Sequence, residues 1–202
     1  MDISYQELIS YWQYILLAAI ILLGVIFDVL DKKSRRKIRV GFEYQAMPEM
    51  QPIPIRTKEK GFWGAIFLWL LGVRKWRITK DFYYKIDGEW FVVPAGFEFD
   101  GASVPKFLAT FLSPVGVLLM GGLVHDYAYM YGTLLKKDKK STLGPISQKK
   151  ADKIFRDINI ENNGFVALNY LAYYALRLAG FVAWNGHRKR NLKIAEVQNV
   201  RN

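Results

Sequence analysis

The chain has no cysteine. That absence excludes a disulfide scaffold, a thiolate metal centre and a thiol nucleophile, and it leaves oxygen and histidine as the available ligands. Histidine is scarce as well, with only His125 and His187 among 202 residues. A third absence is local: the first thirty residues hold the acids Asp2, Glu7 and Asp28 and no base. The remainder therefore carries all 29 lysines and arginines against 15 acids, a net charge of +14 on residues 31–202. A surplus of that size favours an anionic partner, either nucleic acid or the acidic face of a bilayer. What the chain does have is 51% apolar and 15% aromatic residues, which rules out a disordered or collagen-like polymer and is enough to build a core. No internal repeat is visible.

The N-terminal region decides between the two anionic partners. Tyr11 to Phe27 reads YWQYILLAAIILLGVIF, with Gln13 the only strongly polar member and Tyr11, Trp12 and Tyr14 as interfacial anchors. At 1.5 Å per residue the run spans ~26 Å, close to the ~30 Å hydrocarbon core. A signal peptide would place bases before such a run and small residues after it, but here acids precede it and Asp28 to Lys37 (DVLDKKSRRK) follows. The five bases Lys32, Lys33, Arg35, Arg36 and Lys37 place that end in the cytoplasm. The expectation is a bacterial inner-membrane protein with residues 1–10 outside, a transmembrane helix over 11–30 and the rest in the cytosol. The basic cluster then touches anionic lipid headgroups, and nucleic acid becomes the minority partner.

Residues 31–60 read as a basic juxtamembrane segment and a connector, in which Met47 to Ile55 (MPEMQPIPI) has too many prolines for a helix. Within 61–75, Phe62 to Val73 (FWGAIFLWLLGV) is too short to span and suits either an interfacial helix or a core helix. From Trp76 to Phe99 two runs rich in aromatic and branched residues flank Asp87-Gly88, which predicts an antiparallel hairpin with its second strand bent at Pro94 and Gly96. Helices follow. Pro114 opens one that Gly132 closes, Ser147 caps a second whose Ala151, Ile154, Phe155 and Ile158 recur at helical spacing, and Gly164 to Trp184 forms a third. The third is apolar all round except for Asn169 and Arg177. An arginine at its centre would cost ~2.5–3.5 kcal/mol in a bilayer, which favours a core helix whose Arg177 meets an internal carboxylate, Asp126 or Asp100, over a second span. The HRKR of His187 to Arg190 reads as the solvated helix end, with 191–202 as a tail. The fold class expected is α+β: a small antiparallel sheet packed on a mainly helical domain over 76–190, preceded by one transmembrane helix.

His125 is the only histidine within the apolar framework, next to Asp126 and one turn after Gly121 and Gly122, which let another backbone or a substrate approach. Its plainest role is a satisfied core histidine. The run Pro94 to Pro105 (PAGFEFDGASVP) offers Asp100 at a strand end, where it either closes an Asx-type turn or joins His125 and Asp126 at a cleft. Asp152 is a third acid of the same kind. Ser103 is a candidate nucleophile with His125 as base, although no Gly-x-Ser-x-Gly elbow surrounds it. Asp100, His125 and Asp126 could also hold a hard divalent cation.

Taken in order, VPAGFEFDGASVP, HDYAY, KKADKIF and YYALRLAGFVAW resemble the phage and prophage family known as domain of unknown function 1353, over roughly residues 76–186. The positions that match are Asp100, Gly101, Ser103, Pro105, His125, Asp126, Tyr129, Asp152 and Phe155. The resemblance implies a phage or prophage origin and a compact α+β domain, and it supplies no reaction. Two functions from different classes follow. One is a membrane-anchored protein that binds a host-envelope or virion partner, with the acids in a buried network around Arg177. The other is a membrane-associated hydrolase acting on a lipid or envelope-precursor headgroup, with His125 as general base oriented by Asp126 and Asp100. Without a substrate motif the first is preferred. An open cavity at His125 would speak for the second, and full burial with paired acids for the first.

Overall fold

A computed structural model describes residues 11–35, 40–71, 75–100 and 116–201. Helix α1, Trp12–Arg35, carries the N-terminal apolar run and continues a further turn and a half into the basic segment. Short strands β1, Glu43–Tyr44, and β2, Met50–Ile53, precede helix α2, Gly61–Leu71. Four strands follow: β3 Lys75–Ile78, β4 Phe82–Ile86, β5 Glu89–Val93 and β6 Glu98–Phe99. Helix α3, Leu119–Tyr131, is joined by the ribbon of β7, Leu134–Leu135, and β8, Thr142–Leu143, to helices α4, Gln148–Asn163, and α5, Val166–Arg201. Among the described residues the fold is mixed α+β, with small antiparallel sheets and five helices.

Asp87 and Gly88 make the predicted hairpin turn, both at positive φ (50° and 84°), the backbone that suits the right-handed twist of the flanking strands. β4 and β5 pair from Phe82↔Val93 to Ile86↔Glu89, and β4 alternates strictly: Phe82, Tyr84 and Ile86 point inward, Tyr83 and Lys85 outward. The aromatic runs on either side of the turn are not single strands, however. Thr79 to Asp81 and Pro94 to Gly96 break them, so the chain builds two three-stranded sheets, ordered β1-β4-β5 and β2-β3-β6. Pro94 has no N–H to continue the ladder, and Gly96, at φ 85°, turns its own N–H onto the Ile78 carbonyl at 2.7 Å. The Pro-rich segment is corrected in the same way. Instead of a connector, Met50–Ile53 is an edge strand on β3, and Pro52 is tolerated because an edge strand has one side without a neighbour.

The core lies between the sheets and α3. Phe82, Tyr84 and Phe91 stack on one another, and Phe97 meets Tyr127 of α3 at 5.2 Å. Leu123, Val124 and Ala128 of the same helix are fully buried. A smaller cluster of Leu118, Phe155, Ala172 and Leu176 joins α4 and α5. No described residue of α2 enters either cluster, and its Phe62, Trp63 and Phe67 are exposed. Two helices are long and apolar enough to cross a membrane among the described residues: Trp12–Lys33, with mean hydropathy 2.4 and nothing buried, and Val166–Leu192, with 1.3 and 28% buried. The same length and composition suit a signal sequence in the first case and a core helix in the second.

Candidate functional site

The site is built where α3 and α4 cross at close range. Gly121 makes that possible: its N–H donates to Asn159 Oδ1 at 3.0 Å, and a β-carbon there would lie 2.6 Å from the Phe155 carbonyl oxygen. One turn on, His125 and Tyr129 stand on the same face of α3 with ring centroids 4.0 Å apart, and Phe155 of α4 meets the imidazole edge-on at 5.4 Å. Three rings thus wall off an acid from the first turns of α4, Asp152.

Asp152 is the hub. Its Oδ1 lies 2.9 Å from His125 Nε2 and accepts from Tyr129 Oη at 2.5 Å, while its Oδ2 accepts from Arg177 Nη1 of α5 at 2.8 Å. The side chain is 0% exposed and that of His125 2%, whereas Arg177 keeps 33% of its surface in solvent. His125 Nδ1 faces Asp126 Oδ1 at 3.4 Å. Both ring nitrogens therefore face carboxylates, and only the imidazolium can donate to both. Burial disfavours that charge, but the hydrogen bonds it donates to Asp126 and Asp152 outweigh burial and raise the His125 pKa. Burial likewise works against the Asp152 carboxylate and is overcome by His125, Tyr129 and Arg177, which hold its pKa below the usual value. The Tyr129 phenol is pushed far up, by burial first and then by Asp152.

Each sequence candidate among the described residues has a place relative to this hub. Asp152 and His125 are at it, and Asp126 adjoins it with 13% of its side chain exposed. Asp100, at the end of β6, shares with His125 and Asp126 the wall of a cavity of about 230 Å³ that also includes Tyr129, His187 and Arg190. Ser103 lies outside the described residues, as do Gly101 and Pro105. The carboxylate that meets Arg177 is Asp152, not Asp126 or Asp100; α5 crosses α4 on the side from which Asp152 projects. The cation expectation for Asp100, His125 and Asp126 gains no support: among the described residues no three His, Asp or Glu side chains are grouped to hold a metal, and each nitrogen of His125 already has a carboxylate.

Three contributors had no assigned role in the sequence. Tyr129 belongs to the HDY-x-Y string, but nothing in that string says its hydroxyl reaches Asp152. Asn159 is buried against Gly121, and nothing in its sequence setting distinguishes it from other polar residues of a helix. Arg188, expected to be solvated, instead donates from Nη2 to the carbonyls of Tyr129 and Met130 at 2.6 and 2.8 Å, and Asn191 adds a bond to Met130. These side chains satisfy the orphan carbonyls at the C-terminus of α3, where Gly132 ends the helix in the left-handed region at φ 71°. A helix stopped by glycine beneath a buried site signals that some donor must arrive, but not which one.

The family described as "Protein of unknown function (DUF1353)" matches residues 76–176, half of the chain. No curated protein and no solved structure matches it.

Proposed function

The chain belongs to the DUF1353 family, and from that premise we propose that it is a membrane-anchored binding protein of phage or prophage origin. In this reading α1 crosses the bacterial inner membrane with residues 1–10 outside. The bases from Lys32 to Lys37 rest on anionic headgroups at the cytoplasmic face, and the α+β domain meets a host-envelope or virion protein there. The observation that carries the reading is the burial of the polar network. A general base must reach a substrate proton directly or through one water. His125 is 2% exposed and its nitrogens face Asp152 and Asp126, while Asp152 is enclosed by three donors. A satisfied network of this kind fixes how α3, α4 and α5 pack, which is what a binding scaffold needs of it.

One observation favours the hydrolase reading as the second choice: Asp100, His125 and Asp126 border the same cavity. At about 230 Å³ it falls below the ~300–1,000 Å³ of ordinary ligand sites. The two readings separate on the full chain in vesicles of phosphatidylethanolamine and phosphatidylglycerol, assayed for release of headgroup and fatty acid alongside thermal unfolding. The binding reading expects no turnover above protein-free vesicles and a lowered Tm for His125→Ala. Turnover by the wild type that vanishes in a His125→Ala protein of unchanged Tm would overturn it.

A further inference from the structure

The least explained surface of the molecule is the outer side of α5. Ala172, Leu176 and Asn169 turn inward against α3 and α4. Half a turn away, Leu171, Tyr174, Leu178, Phe181 and Val182 are exposed, with Leu178 at 79%. Their spacing of three and four residues makes one continuous stripe on a helix whose other side is packed. An apolar stripe of five large side chains marks a contact surface, because a soluble monomer seldom leaves one uncovered.

We propose that this stripe lies in the headgroup and upper acyl region of the bilayer, with α5 parallel to the membrane plane, so that the domain rests on the membrane as well as being tethered to it. The proposal rests on the reading of α1 as a span. Its first support is continuity with that helix. Asp31, near the cytoplasmic end of α1, accepts from the Ala167 amide at 3.2 Å, and an apolar recess of about 760 Å³ is lined by Gly24 and Phe27 on one side and Phe165, Leu168 and Leu171 on the other. Gly24 and Phe27 belong to the last turns of the apolar run. The start of α5, including the first residue of the stripe, is thereby held at the depth where that run meets the headgroups.

The second support is what α5 is packed against. Standing upright as a second span, it would draw its neighbours in with it: Arg177 is bonded to Asp152, and α4 exposes Lys149, Lys150 and Lys153. Bilayer hydrocarbon does not accept such a set. Lying flat, α5 puts only its stripe into lipid and keeps α4 in water. The third support is charge. The stripe runs out at Lys189, which is exposed and suits anionic headgroups at the same level.

Because the native chain has no cysteine, single reporters can be placed in the full protein. A polarity-sensitive fluorophore is attached at Leu178→Cys, Phe181→Cys, Lys140→Cys or Leu22→Cys, and the protein is reconstituted in vesicles of phosphatidylethanolamine and phosphatidylglycerol. Spin-labelled lipids with shallow or deep nitroxides and aqueous iodide serve as quenchers. The proposal expects loss of fluorescence at 178 and 181 with the shallow lipid, protection there from iodide, and the reverse at 140, which lies on the exposed β7–β8 turn. Iodide quenching at 178 without lipid quenching would overturn it in favour of a water-facing surface. Stronger quenching at 178 by the deep lipid would overturn it in favour of a second span. Efficient bismaleimide cross-linking of Leu178→Cys into dimers, with no lipid quenching, would overturn it in favour of a second copy. The probe at 22 reads the anchor alone: if it escapes the deep lipid the span reading falls, whereas quenching at 22 with none at 178 refutes the flat α5 and leaves the span intact.

Discussion

Replacing Asp152 by alanine takes one acceptor away from three donors, and the cost can be apportioned from the geometry. Arg177 is the cheapest to lose: with 33% of its side chain exposed it can turn to water, and pairs so placed are worth ~0–1 kcal/mol. His125 and Tyr129 have much less freedom to turn to water, being 2% and 5% exposed and packed against Phe155 and Trp184. Leaving one partner of a buried ion pair uncompensated costs ~3–5 kcal/mol, and a stranded buried hydroxyl falls at the lower end of ~1–3 kcal/mol. Deprotonation of His125 recovers part of this, so the net expectation is about 3–5 kcal/mol, or a fall in Tm of roughly 12–20 °C for a domain of this size. The assay is thermal unfolding of the detergent-solubilised full chain, followed by far-ultraviolet circular dichroism. Arg177→Met should cost clearly less than Asp152→Ala, because Asp152 keeps His125 and Tyr129. An Asp152→Ala protein that melts within a few degrees of wild type, or an Arg177→Met protein that melts lower than it, would refute the assignment of Asp152 as the hub.

The same network sets a pH dependence. His125 has a raised pKa, so its stabilisation is complete below the ordinary 6.5 and is lost as pH rises through the raised value. Asp152 has a lowered pKa, so its share is present above the ordinary 3.8 and is lost as pH falls through the lowered value. Tm measured from about pH 5 to 9 should therefore decline on the alkaline side, and His125→Gln should flatten that decline. Gly121→Ala puts a methyl group against the Phe155 carbonyl, which cannot move aside, and should lower stability by ~1–3 kcal/mol or more in the same melt; unchanged stability would mean the helices cross farther apart. For the proposed topology, a reporter active only in the periplasm should stay silent when fused after Asn202, and strong activity would overturn the proposed orientation.

Local signals in the sequence translated directly. Asp87-Gly88 is a turn pair whose conformation is dictated by the residues themselves, and Ser147 caps α4 by accepting from the Lys150 amide at 3.3 Å. Both depend only on neighbours along the chain. The division into two sheets was not legible in the same way, since β1 and β2 find β4 and β3 across a long separation and carry few residues of their own. Asp152 was visible as an acid on an amphipathic helix, but its meeting with Arg177 depends on which side of α4 the last helix crosses, a tertiary outcome. Arg188 shows the limit most plainly. A basic residue in the polar stretch of a helix is solvated in most settings, and only the arrival of the α3 carbonyls beneath it makes it a cap.

The bond from Asp31 to Ala167 joins residues separated by 136 positions, and Glu161 reaches back 121 positions to the Val40 amide. At ~5–20 residues per second, a ribosome makes Ala167 on the order of ten seconds after Asp31. On the proposed reading of α1 as a span, a nascent chain whose first apolar helix has already entered the membrane must wait through that interval with one end immobilised and the partners of that end not yet made. Folding of this protein is then the closing of a tethered loop at a surface. The position of the anchor limits where the late helices can dock, and a partner that bound the exposed edge of α1 during the wait would compete with the protein's own C-terminal half.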